Sequence, residues 1–125
     1  MAQPANRRTT KAQFALFKRT CLGCIRRWGI SSWQIEICHE DLGDKLAQCG
    51  TQVHDRLAWL SFSTSVPKEQ ESELTRDNII RLARHETTHL LIAPLADVLI
   101  IRELTASHKR EANEAVCNHL EKLLP

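Results

Sequence analysis

Two histidines four residues apart, His85 and His89, with Glu86 directly after the first, lie in the stretch RLARHETTHLLIAPL, residues 81 to 95. On a helix, side chains at i and i+4 stand one above the other, so two imidazoles can face one ion. Glu86 sits beside them, within reach of a water on that ion without being a ligand. Zinc suits two imidazoles, and it lowers the pKa of a bound water to about 7. A carboxylate can then take the proton as hydroxide attacks a carbonyl. The pattern therefore points to hydrolysis, with His85 and His89 as metal ligands, Zn2+ as cofactor and Glu86 as general base. With six histidines and ten glutamates in the chain, chance places an HExxH about once in fifty such sequences. Here it falls inside a segment that reads as a buried helix on other grounds, where two histidines and a glutamate are expensive unless something pairs with them.

A catalytic zinc usually takes three protein ligands and leaves a fourth position open. The compact pattern HExxHxxGxxH fails, because Ile92 and Leu95 stand where glycine and histidine belong. The third ligand must come from further on, where His108, Glu111, Glu114 and His119 are available.

The elements that must position these residues follow from periodicity. Residues 1–9 read as a disordered arm and 10–125 as a single domain. Between Lys11 and Trp28, Phe14, Phe17, Cys21, Cys24, Ile25 and Trp28 recur at helical spacing with basic residues opposite, and Gly29 ends the helix. Trp33, Ile35 and Ile37 alternate with Gln34, Glu36 and Cys38, the period of a half-buried strand. HEDLGDK reads as a turn, LAQCGTQV as a weaker strand, and His54, Asp55 and Arg56 as a tight reversal before a strong strand from Leu57 to Thr64. The expected sheet is a small, mostly antiparallel meander. A polar loop with Pro67 leads to a helix starting at Thr75 that is apolar almost all round and hence central. Pro94 should end or kink it near Ala93. A last helix, from about Ser107 to Leu124, packs through Ala112, Val116, Leu120 and Leu123. The fold class is α+β, with the HExxH helix buried and a ligand-bearing helix at the C-terminal end.

The last helix carries NEAVCN, Asn113 to Asn118. This resembles the NExxSD signature of the thermolysin-like zincins, the gluzincins, with Cys117 in place of serine and Asn118 in place of aspartate. The resemblance implies that Glu114 is the third zinc ligand and that Asn118 supports the first histidine through a hydrogen bond; Glu111 and His108 are the alternative third ligands. The element order, and HETTHLLIAPL beside the HExxHLLLAxL stretch, are also similar to short metallopeptidase-like proteins of phages and prophages. Such a likeness implies a zincin-like fold over roughly residues 30 to 124, with a peptide or protein substrate laid along the strand Leu57 to Thr64 as an edge. The chain has no tyrosine, so the family's tyrosine that stabilises the oxyanion is absent; His108 and His54 are the candidates in its place.

Composition bounds the alternatives. The chain has 125 residues, 42% hydrophobic and 26% charged, with a net charge of +2. That charge is too small to argue for nucleic acid or an anionic membrane, and the cluster Arg7, Arg8, Lys11, Lys18, Arg19, Arg26 and Arg27 reads first as a solvated helix face. No apolar stretch approaches the roughly 18 residues that span a bilayer, and five cysteines without a secretory signal point to a reducing, cytoplasmic setting; the resemblance implies that this is a bacterial cytoplasm, the chain being bacterial or phage-encoded. Cys21 and Cys24 form a CxxC, but both lie on the apolar face of the first helix and read as core. Cys38 and Cys49 could in principle complete a four-cysteine zinc site with them. Trp28, Trp33 and Trp59 read as core and sheet anchors. The competing functional class is a non-catalytic, zinc-stabilised zincin fold serving as a phage or prophage accessory protein that binds a partner; a nucleic-acid adaptor using the basic first helix is a third.

Overall fold

A computed structural model describes residues 7–98 and 106–125; the side chains of residues 95–109 and of Ala112, His119 and Leu123 lie outside the described set. The chain runs β1 (Arg7–Arg8), α1 (Lys11–Arg27), β2 (Gln34–Glu40), β3 (Ala47–Gln52), β4 (Leu57–Ser63), β5 (Ser65–Val66), a 3-10 helix (Lys68–Glu73), α2 (Arg76–Val98) and α3 (Ala106–Leu123), an α+β order. Among the described residues no helix is long and apolar enough to cross a membrane.

Helix α1 starts on a capping box: the Thr10 hydroxyl accepts from the Gln13 amide at 3.0 Å, and the Gln13 side chain accepts from the Thr10 amide at 2.8 Å. Its stripe turns Phe17, Cys21 and Cys24 fully inward. Gly29 ends it at a φ of 65°, with Ile30 N–H on the Ile25 carbonyl and Gly29 N–H on that of Arg26, a Schellman closure. The disordered arm expected over residues 1–9 does not extend that far. Arg7 and Arg8 pair antiparallel with β5, and the buried Thr9 hydroxyl donates to the Ser63 carbonyl at 2.6 Å. Residues 1–6 lie outside the described residues.

The three-stranded sheet is not the expected antiparallel meander. Its order is β2-β4-β3: β3 is antiparallel to β4, as the reversal at 53–56 requires, but β2 is parallel to β4. The connection from Asp41 to Leu46 is a crossing rather than a hairpin turn. It passes over the end of β4, where Ser63 satisfies it: Leu42 N–H donates to the Ser63 hydroxyl at 3.3 Å, and Ser63 N–H to the Leu46 carbonyl at 2.8 Å. The physical reason lies in β4 itself. LAWLSFS buries Ala58, Leu60, Ser61, Phe62 and Ser63 in near succession, and a strand apolar on both faces belongs inside a sheet, not at its rim. The strand expected as a substrate-binding edge is therefore central, and β3 is the edge that packs beside α2.

Helix α2 is the central helix predicted. The Thr75 hydroxyl accepts from Asn78 N–H at 3.2 Å at its start, and Ile79, Ala83, Leu90, Ile92 and Ala93 are buried along it. Pro94 does not end it; the helix runs on to Val98, at the loss of the one bond that a proline nitrogen cannot donate. Helix α3 lies within a residue of its predicted bounds, but its packing face differs. Val116 is 40% exposed, Leu120 is half-buried, and Cys117 is fully buried instead; Ala112 and Leu123 lie outside the described residues. One core, built from Phe17, Cys21, Ala58, Leu60, Phe62, Ile79, Ala83 and Leu90, joins α1, the sheet and α2.

Phe62 is the pivot of that core, its ring stacked on Phe17 at 5.2 Å between centroids and on His39 at 5.9 Å. Phe62→Ala should lower stability by about 3–5 kcal/mol, read as a fall in the urea midpoint with an unchanged slope, whereas Thr10→Ala should cost only about 1 kcal/mol.

Candidate metal centre

Helix α2 supplies His85, Glu86 and His89 from one face. Between them Thr87 and Thr88 are fully buried, and each satisfies its own hydroxyl on the carbonyl four residues back, Ala83 and Arg84, both at 2.7 Å. The two imidazoles meet edge to face, with their Nε2 atoms 3.2 Å apart. Helix α3 brings Glu114 to that point: one carboxylate oxygen lies 2.9 Å from His89 Nε2 and the other 3.3 Å from His85 Nε2. Ligand atoms of His85, His89 and Glu114 all fall within 4.8 Å of one another, the only such group of three among the described residues. These three residues could hold a metal ion.

The far side of each ring is held by α3. His89 Nδ1 is 2.8 Å from Asn113 Oδ1, and His85 Nδ1 is 3.3 Å from Glu121 Oε1. A proton on each Nδ1, donated to these oxygens, leaves both Nε2 lone pairs free and converging. The glutamate at position 121 is nearly buried, its side chain 10% exposed. The exposed Asn118 is not the residue that supports His85. The reason is helical phase: at about 100° per residue, position 121 returns within about 20° of position 114 and on its inward side, whereas position 118 overshoots by about 40° toward solvent. Glu111 is likewise exposed and outside the ligand group. The side chains of His108 and His119 lie outside the described residues.

Glu86 is 8% exposed. Burial pushes its pKa above the usual carboxylate range, the imidazoles of His89 and His85 pull it back, Glu114 raises it, and Lys45 lowers it. A buried carboxylate poised upward beside two ring nitrogens is equipped to take and return a proton. Cys49 also feels the Glu86 charge, so the first half of β3 borders the centre. His54 is exposed in the turn beyond the other end of β3, out of reach of an oxyanion at the histidines.

The five cysteines are free thiols. Burial, ahead of nearby charges, pushes Cys21 and Cys117 up to about 12 and Cys49 up as well. These three therefore stay thiols near neutral pH, and a thiol is a poor metal ligand. Cys21 and Cys24 are core residues of α1, as their phase predicted, and they form no four-cysteine cluster with Cys38 and Cys49. Trp59 stands opposite Gly50 across the β3–β4 pair, and the Trp28 ring lies under the Arg84 guanidinium. Compared with protein-family models, with curated proteins and with solved structures, the chain matches none.

The missed residues, Asn113 and Glu121, supply a contrast to Asn118. Glu121→Ala should weaken metal binding about 10- to 100-fold, and Asn118→Ala should leave it within twofold. Competition titration against a chromophoric chelator measures both.

Proposed function

We propose that this protein is a zinc-dependent peptidase of zincin-like α+β architecture, in which His85, His89 and Glu114 hold the metal and Glu86 is the general base. The observation that carries the reading is the convergence of three ligand atoms from two helices with a buried, non-ligating carboxylate beside them. Two imidazoles and one carboxylate are a donor set suited to zinc rather than to calcium or magnesium, which prefer all-oxygen shells. When bound there, zinc supplies a Lewis acid that activates water near neutral pH and polarises a carbonyl.

The chain's own residues divide the remaining work. Asn113 and Glu121 fix the imidazole rings and their tautomers. Glu86 accepts the proton of the attacking water and, its pKa raised by burial, can pass it to the leaving amine. An extended peptide has a place to lie along the outer side of β3, where, among the described residues, no strand pairs; main-chain hydrogen bonds would hold it by strand addition.

Metal analysis of the protein purified without chelator should give about one zinc per chain, and chelation should lower the melting temperature by mass action. Glu114→Ala should lose most of the zinc affinity while Glu111→Ala keeps it. Glu86→Gln should retain zinc and lose cleavage of a peptide library by more than 100-fold, the usual scale of a general base. Absent zinc, with a melting point indifferent to chelator, would sink the metal reading. Stoichiometric zinc without cleavage would assign the fold to a metal-stabilised binding module instead.

A further inference from the structure

We propose that Arg84, the residue before the first histidine, is a positioning residue of the metal centre: it locks the register of α3 against α2 and so delivers Asn113 and Glu114 to the imidazoles. The proposal rests on the metal-centre reading above. The last turn of any helix leaves four carbonyls without partners. Here the Arg84 guanidinium donates to three main-chain oxygens at that end, Leu124 at 2.6 Å, Glu121 at 3.1 Å and Pro125 at 3.3 Å. The Trp28 indole donates to the Pro125 oxygen at 3.0 Å, and the guanidinium lies over the Trp28 ring, 5.5 Å from its centroid. One side chain from α2 and one from α1 thus hold the end of α3 together.

The clamp matters because the apolar seam between α2 and α3 specifies register weakly. Cys117 is the fully buried α3 residue among those described, Leu120 is half-buried and Val116 is exposed. A slip of one residue would translate α3 by about 1.5 Å and rotate it by about 100°, turning Glu114 away from both rings. Directional bonds at one end prevent this, since Glu114 lies seven residues, about 10.5 Å of stiff helix, from Glu121. Arg84 and His85 are neighbours in the chain, so the clamp and the ligand share one piece of backbone. Arginine is the fitting residue: its planar fork spans several carbonyls while its face stacks on an indole, and lysine does neither.

The test compares wild type with Arg84→Met, Arg84→Lys and, as control, Arg81→Met, an exposed arginine one turn earlier. Zinc affinity by chelator competition should fall about 10- to 100-fold in Arg84→Met, recover in part in Arg84→Lys, and stay unchanged in Arg81→Met. With cobalt(II) in place of zinc, the visible bands of Arg84→Met should move toward those of Glu114→Ala, a signature of the lost carboxylate rather than of lower stability. Amide exchange over residues 113–121, measured in chelator, should quicken in Arg84→Met. Wild-type affinity in Arg84→Met, or an equal loss in Arg81→Met, overturns the proposal. If wild type itself binds no zinc, the metal reading fails separately, and the exchange data decide: faster exchange in α3 upholds the register lock, unchanged exchange overturns it. Should Arg84→Met fail to fold, wild-type affinity and spectrum in Arg84→Lys overturn it.

Discussion

A buried helix that carries two imidazoles and a carboxylate has to find partners for them, and this requirement organises the rest of the molecule. Leaving such groups dry and unpaired costs several kcal/mol. Helix α2 settles part of the demand internally, through Thr87 and Thr88 on their own backbone. The histidines cannot be served from within α2, because each ring presents one nitrogen along the helix face and the other outward. Helix α3 answers with an alternation along one face: Asn113 for His89, Glu114 between the rings, Glu121 for His85. A packing helix selected for apolar contact alone would carry leucines there. Among its described residues α3 instead turns Asn113, Glu114 and Glu121 toward the rings, and Cys117 is the fully buried one, an arrangement that orients the imidazoles.

The sheet is arranged by the opposite force. β4 is the strand with the most apolar surface, so it takes the centre, and β2 and β3 flank it. β3 then stands at the rim next to α2, close enough for Cys49 to feel the charge of Glu86. An unpaired strand edge is a hazard for most proteins. Here, among the described residues, no strand pairs with the outer side of β3. Hydrophobic ranking of three strands thus decides which edge stands beside α2.

The chain discloses some of this in advance and hides the rest for identifiable reasons. HExxH and its helix are local: four-residue spacing and a continuous apolar pattern fix both, and Gly29 and Thr75 mark helix ends by chemistry that needs no tertiary context. Glu114 was within reach through the likeness of NEAVCN to the NExxSD signature, where helical phase alone left Glu111 and Glu114 undecided. Glu121 was not, since a lone glutamate near a chain end looks like any solvated residue until its neighbour across the helix pair is known. The parallel pairing of β2 with β4 was hidden behind a six-residue connection whose Asp, Gly and Asp mimic a hairpin turn. Its signal lay elsewhere, in the two-sided burial of LAWLSFS, which an alternating reading of each strand in isolation passes over.

Three carboxylates surround the two imidazoles, and their positions give them three different tasks. Glu114, its side chain 54% exposed, faces both ring nitrogens, the position a ligand would take. Glu121 stands behind a ring, where a negative oxygen strengthens the imidazole as a donor of electrons without competing for the ion. Glu86 is the most enclosed, and burial drives its pKa upward, which suits a group able to gain and lose a proton. Gathering three carboxylates in one place is unfavourable by itself, through mutual repulsion and desolvation. A divalent cation at the convergence of the two Nε2 atoms and Glu114 reverses the sign of that balance. The same arrangement that penalises the metal-free fold therefore favours a cation, and an ion held there would add to the stability of this small domain.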